Sequence, residues 1–311
     1  MSTTTEVPYH SYMTVESEAE WLQQCNDFCA RLLDVNPGLT SAKIFPHVAD
    51  PERQLEAAAP DAPVRVRIRR ELFGLTAAFR FLERRVKAVP VCTDAVVRRI
   101  ALAMDRQRDA VPPGATSEVL SAAYECVVLM RMTQAGFYGA FLDAGNGKRP
   151  DLVFPDAALL VECKDSQGMS GYNEDISKMA LWARSQADYA RTQLLTEDPS
   201  QNFEHIICLD LPENAFKVLA KDEEIRTNFF RQALSHPEDL NQFEARAQNI
   251  FFSSIDFNDQ LPLSVGQINH PEYEGWWPQV IVGPAVTRAQ QVHEAIYRTL
   301  GSKSDDAPDS W

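Results

Sequence analysis

Residues 149–166 read RPDLVFPDAALLVECKDS, and the fold turns on how this stretch pairs with itself. Two apolar runs, DLVF and ALLVEC, flank the Pro155-Asp156 step. Proline presets φ and aspartate bonds nearby backbone, so the pair is an ordinary turn former. A hairpin turning near Asp156 puts Asp151 five residues before the turn and Glu162 six after it. The two carboxylates then become cross-strand neighbours with Cβ atoms about 5 Å apart. Side chains alternate along a strand, so Glu162 and Lys164 share one face while Val161 and Cys163 take the other. One edge of the hairpin is thus expected to present two acids and a lysine together.

Such a grouping carries chemistry. Two adjacent carboxylates on an apolar hairpin repel each other, and a hard divalent cation with oxygen ligands offsets that repulsion. Mg²⁺ fits this description. It would hold a phosphodiester oxygen, lower the pKa of a bound water and stabilise the charge that develops as a P–O bond breaks. Lys164 would stand beside the water and the phosphate as a point charge. The plainer alternative is a surface hairpin with a structural ion pair. The strand LLVEC is too apolar for an open surface edge, which favours the site.

Outward from the hairpin, the periodicity changes. TSEVLSAAYECVVLMRMTQAGF predicts a long helix with a Thr or Ser cap and a glycine stop at Gly136. FYGAFL predicts a first strand before the hairpin. NEDISKMALWARSQADYARTQLL predicts a second long helix, and HIICLDL another strand. The order is helix, three strands, helix, strand, which defines an α/β core with a mixed sheet. Beyond it, ENAFKVLAKDEEIRTNFFRQAL, DLNQFEARAQNIFF and VTRAQQVHEAIYRTL read as helical and WWPQVIVG as a strand. On the N-terminal side, helices are expected in VESEAEWLQQCNDFCARLLDV, RIRRELFGLTAAFRFLERRVKAV and TDAVVRRIALAMDRQRDA, the last opened by a Thr or Asp cap. The chain is accordingly read as a flexible start at 1–14, a helical arginine-rich region at 15–115, a core with its C-terminal extension at 116–300, and a disordered acidic tail at 301–311.

This arrangement resembles the PD-(D/E)XK, or restriction-endonuclease-like, nucleases. Their core is helix, three strands, helix, strand, with an aspartate opening the second strand and an E-x-K closing the third. Pro150-Asp151 and Glu162-Cys163-Lys164 occupy those places here. The resemblance implies a restriction-endonuclease-like core and a catalytic set of Asp151, Glu162 and Lys164. It further implies Mg²⁺ (or Mn²⁺) held by Asp151, Glu162, the backbone carbonyl of Cys163 and Glu125, the last because it lies eleven residues before Gly136. Glu118 is a weaker candidate for that helix acid. Some members carry Q-x-x-x-Y on the following helix, whereas Gln186 and Tyr189 stand at Q-x-x-Y spacing, so that motif is not carried over. A second Pro-Asp pair, Pro155-Asp156, competes for the family aspartate but falls in the expected turn. The implied activity is hydrolysis of phosphodiester bonds, of DNA before RNA. The alternative is an inactive nuclease-fold module that binds nucleic acid or protein.

The composition sets outer limits. At 311 residues, with 45% hydrophobic and 24% charged residues, the chain belongs with soluble globular proteins. No apolar run approaches the roughly 20 residues that span a bilayer, and the N-terminus lacks a basic and apolar leader. An intracellular protein, cytoplasmic or nuclear, without membrane contact is expected. The six cysteines show no paired metal spacing and read as reduced, mostly buried thiols. The net charge of −14 argues against indiscriminate nucleic-acid binding. Yet residues 65–108 hold eleven arginines and one lysine against four acids, a local balance of +8. Arg69, Arg70, Arg84 and Arg85 are the expected phosphate contacts. A homo-oligomer or a protein partner is compatible with the same surface. Trp276 and Trp277 read as core or interface, and the six histidines form no metal or triad spacing.

Overall fold

The computed structural model describes residues 78–79, 81–106, 118–142, 150–164, 176–197, 203–211, 218–219, 222–234, 248–256 and 273–281, with single helical positions at 23, 27, 30, 291, 292, 295, 296, 298 and 299. The chain divides into two compact units. The first comprises Met1–Ala88, Val96–Ala123 and Phe257–Glu272; the second comprises Val89–Ala95, Tyr124–Asp256 and Tyr273–Trp311.

The first unit is helical among its described residues. Residues 81–88 form a helix that buries Phe81, Leu82 and Val86 and exposes Arg84 and Lys87, the three-and-four spacing of an amphipathic helix. Helix α1 (Thr93–Arg106), whose first three residues belong, with the preceding 3₁₀ turn at Pro90–Cys92, to the second unit, buries Val96, Ile100, Ala103 and Met104. Its start differs from expectation. Proline presets the 3₁₀ turn, so Thr93 is already helical, and its hydroxyl donates to the Pro90 carbonyl at 2.7 Å instead of capping the following N–H groups.

The second unit holds the sheet. Helix α2 (Glu118–Gln134), whose first residues belong to the first unit, is buried nearly all round from Ala122 to Met132. It ends as the glycine predicts. Gly136 takes φ +96°, the N–H of Phe137 bonds the Met132 carbonyl at 2.9 Å and that of Gly136 bonds Thr133 at 3.0 Å, a Schellman closure. Strands β1 (Ala140–Phe141), β2 (Leu152–Phe154) and β3 (Leu159–Lys164) form an antiparallel meander. Helix α3 (Ile176–Glu197) then leads to β4 (Glu204–Asp210), which pairs parallel to β3. The order helix, three strands, helix, strand is therefore observed, in a mixed sheet. Helix α4 (Glu223–Leu234) precedes β5 (Gln248–Asp256), which is parallel to β4, and β6 (Tyr273–Ile281) closes the six-stranded order β1-β2-β3-β4-β5-β6.

One expectation fails here. The NIFF end of DLNQFEARAQNIFF reads as helical but lies in β5, whose Ile250, Phe251 and Phe252 pair with β4 on one side and β6 on the other. A run of β-branched and aromatic residues with partners at both edges overrides the helical period of the polar segment before it. The C-terminal extension consequently widens the sheet. Residues 291–299 are helical at their described positions, as expected. The flexible start, the acidic tail and the caps expected for α2 lie outside the described residues.

One face of the sheet is covered by α3 and α4. Leu160, Ile207 and Leu209 pack with Met179, Ala180 and Ala183 of α3 and Phe229 and Ala233 of α4. Burying each large side chain of such a layer contributes roughly 1.5–3 kcal/mol. Alternation then puts Glu162 and Lys164 on the Leu160 face and Leu159, Val161 and Cys163 on the other.

Candidate active site

The hairpin register decides which groups meet. Leu152 faces Val161, Val153 faces Leu160 and Phe154 faces Leu159, so Asp151, one residue beyond the ladder, falls level with Glu162. The connection is the 3₁₀ turn Pro155–Ala157, followed by Ala158 in the left-handed region at φ 48°. The expected register and turn are thus those observed. Asp156 is exposed in that turn, at the far end of the hairpin from Asp151.

Asp151 Oδ2 accepts a 2.7 Å hydrogen bond from the backbone N–H of Cys163. Glu162 is only 1% exposed. Its Oε1 accepts from Lys164 Nζ, and its Oε2 is buried with no hydrogen-bond partner among the described residues. Burial first, then the charge of Asp151, pushes the Glu162 carboxyl up to about 8, against the pull of the Lys164 ammonium and with a smaller push from Glu125. For Lys164, burial acts to lower the pKa, but the carboxylates of Glu162 and Asp151 outweigh it and hold the ammonium above the ordinary lysine value. Burial and the neighbouring Cys208 thiol hold the Cys163 thiol well up. Cys163 is therefore a neutral thiol, and its backbone carbonyl is the donor it has to offer a hard cation. Glu125 is buried in α2 at 6% exposure and close enough for its charge to reach both Glu162 and Cys163. Glu118 stands exposed at the start of the same helix.

These residues fit a hard cation by charge and donor type. Asp151, Glu162 and Glu125 supply carboxylate oxygen, one buried Glu162 oxygen is unsatisfied, and burial with the neighbouring acids raises that carboxyl to about 8, a cost of carrying charge there that a cation offsets. In the arrangement described, Glu162 turns to Lys164 and Asp151 to the Cys163 N–H, and among the described residues no three acidic, histidine or cysteine side chains converge as a ready-made metal cluster.

Two groups beside the set carried little signal in the sequence. Tyr189 of α3, whose spacing from Gln186 departs from the family motif, brings its ring centroid 5.2 Å from Lys164 Nζ. Asp210 ends β4 one residue past Leu209, the register partner of Lys164, and is buried on the opposite face. Its cue is the acid closing the apolar run HIICLD, much as Glu162 follows LLV.

The arginines fall elsewhere in the chain. Arg84 is exposed, and Arg85 sets its guanidinium 4.9 Å from the Phe81 ring centroid, both in the first compact unit. Arg69 and Arg70 lie outside the described residues, as do the Trp276 and Trp277 side chains. Cys92, Cys126, Cys163 and Cys208 are buried and in no disulfide, as expected. No helix among the described residues is long and apolar enough to cross a membrane. No family model matches the chain, nor does any curated protein or solved structure.

Proposed function

We propose that this chain is a metal-dependent nuclease with a PD-(D/E)XK-type site, hydrolysing phosphodiester bonds of DNA before those of RNA. The observation that carries the reading is the meeting of Asp151, Glu162 and Lys164 at one end of the β2–β3 hairpin, with a buried Glu162 oxygen left unsatisfied. The helix, three-strand, helix, strand order around them supports a restriction-endonuclease-like core. Asp151, Glu162, the Cys163 carbonyl and Glu125 would hold Mg²⁺ or Mn²⁺. When bound, that ion supplies a Lewis acid for the phosphate and lowers the pKa of a coordinated water. The chain's own part is to orient and to charge the site. The Cys163 N–H fixes the Asp151 carboxylate, and Lys164, kept an ammonium at neutral pH, offers a positive hydrogen-bond donor to a phosphate oxygen.

A second reading, a nuclease-fold module that binds without cutting, is favoured by the Glu162–Lys164 ion pair, which occupies the two groups with each other. The test is incubation of the purified protein with plasmid, linear duplex DNA, single-stranded DNA and RNA in Mg²⁺, Mn²⁺ or EDTA. Fragments that form with metal and not with EDTA are expected. Binding that neither metal nor EDTA alters, with no cleavage of any substrate, would leave the second reading.

A further inference from the structure

Lys164 is held from two sides. Its own strand offers Glu162 Oε1, and α3 offers the ring of Tyr189, whose centroid lies 5.2 Å from Nζ. Tyr189 follows Trp182 by two helical turns on one side of α3, and Trp182 packs against the core cluster of the sheet face. The ring stands at the margin of that layer, 46% exposed. About half of the side chain is covered, and one ring face meets the lysine.

The two holds differ in what becomes of them when the site is used. A cation taking the unsatisfied Glu162 Oε2 draws the carboxylate's charge toward itself, and the hold of Oε1 on the ammonium weakens. A lysine carries a strongly hydrated charge on a flexible four-carbon stem, and without a second hold it is drawn into solvent at an entropic advantage. An aromatic face attracts an ammonium through its quadrupole and requires neither carboxylate. On the nuclease reading, we infer that Tyr189 is a positioning residue for Lys164, keeping its ammonium at the reacting phosphate once Glu162 turns to the metal. The ring, and not the hydroxyl, does the holding.

The test pairs Tyr189→Leu with Tyr189→Phe in the full chain, each checked for folding by circular dichroism. Lysine labelled with ¹³C at the ε carbon reports the ring's approach directly, with Lys164 assigned by the signal that disappears in Lys164→Arg. The Lys164 ε-methylene is expected upfield, through the ring current, in the wild type and in Tyr189→Phe, to stay there when Mg²⁺ is added, and to move to an ordinary lysine position in Tyr189→Leu. In cleavage, Tyr189→Leu is expected to lower kcat roughly three- to thirtyfold with KM for DNA little changed. Tyr189→Phe should stay within about twofold of wild type. An ordinary Lys164 shift in the wild type, its return to ordinary on Mg²⁺ addition, or Tyr189→Phe as impaired as Tyr189→Leu would overturn the inference. Wild-type cleavage that Tyr189→Leu leaves unchanged overturns this inference alone. A wild type that cuts nothing overturns the nuclease reading and this role with it.

Discussion

The backbone N–H of Cys163 donates a 2.7 Å hydrogen bond to Asp151 Oδ2, fastening the acid ahead of β2 to the middle residue of the Glu-Cys-Lys triplet on β3. Asparagine at 151 retains an oxygen able to accept that bond and loses only the charge. Asp151→Asn should therefore keep the hairpin and its thermal transition while metal-dependent cleavage falls by about 10² or more. Asp156→Asn, in the exposed turn, should change cleavage little. Both variants are read by the same plasmid assay, and the reverse ranking would show that the other Pro-Asp pair supplies the site's aspartate.

Lys164→Ala and Glu162→Gln are each expected to reduce cleavage by roughly 10² or more. Their effects on stability should differ. Lys164→Ala leaves the Glu162 carboxyl buried without its ion partner, so it should cost more at pH 8, where that carboxyl is pressed to ionise, than at pH 5. Urea titrations at the two pH values check this. A folded variant of either kind that kept about a tenth of wild-type activity would remove its residue from the site.

The Glu162 carboxyl lies at about 8 in the fold against an ordinary 4.5. Between those values the folded chain binds more protons at this position than the unfolded one, so stability falls as pH rises. The contribution is complete below about 4.5 and is gone on passing about 8. Its slope is at most about 1.4 kcal/mol per pH unit. Lys164, raised above its ordinary value of 10.5, acts only at higher pH. Stability of Glu162→Gln, measured by urea unfolding across pH 5 to 8, should lack this slope. Saturating Mg²⁺ should flatten it in the wild type, because the ion favours the carboxylate.

The hairpin and its register were legible because every signal there is local. Pro155-Asp156 marks the turn, an apolar run flanks it on each side, and the acid and the E-x-K lie at the ends away from it. The Gly136 stop was equally plain. What escaped depended on distant partners. β5 takes its identity from β4 and β6, which the polar helical period of residues 241–247 conceals. Tyr189 reaches Lys164 only because α3 lies along the sheet, a relationship that no spacing within the helix encodes. The short β1 shows the converse: the apolar run FYGAFL yields only Ala140–Phe141 as strand, since β2 itself offers three residues to pair with.

Gly139 offers a test of that corner. A Cβ there would lie 2.5 Å from two ring carbons of the fully buried Phe154 and 2.7 Å from the Val153 carbonyl oxygen. The ring has no room to retreat and the carbonyl belongs to the β2 backbone. Gly139→Ala is expected to destabilise the fold by about 1–3 kcal/mol, seen as a lower urea midpoint. An unchanged midpoint would mean that the β1–β2 approach is looser than these distances.

Charge reversal at Arg69, Arg70, Arg84 and Arg85 addresses how so acidic a chain holds a polyanion. If these arginines neutralise phosphates, binding should weaken across unrelated sequences, and the salt dependence should flatten by about one unit of slope for each arginine–phosphate pair removed. Any cleavage remaining at saturating DNA should still require metal. An unchanged binding constant and slope would assign the arginines to solvent or to a protein partner.

The turn Pro155–Ala157 with its left-handed Ala158 works as a reading frame for β3. Chemistry is written in every second residue of that strand, and the turn sets which residues are read. Removing or adding one residue there would bring Val161 and Cys163 to the Asp151 face and send Glu162 and Lys164 away, leaving every residue of β3 in place and the message illegible. Substitutions in the exposed turn should be tolerated over many generations, glycine at 158 included, since it adopts a positive φ without strain. Single-residue insertions and deletions should not, and lineages that retain the site should hold the length of this turn fixed while its letters drift.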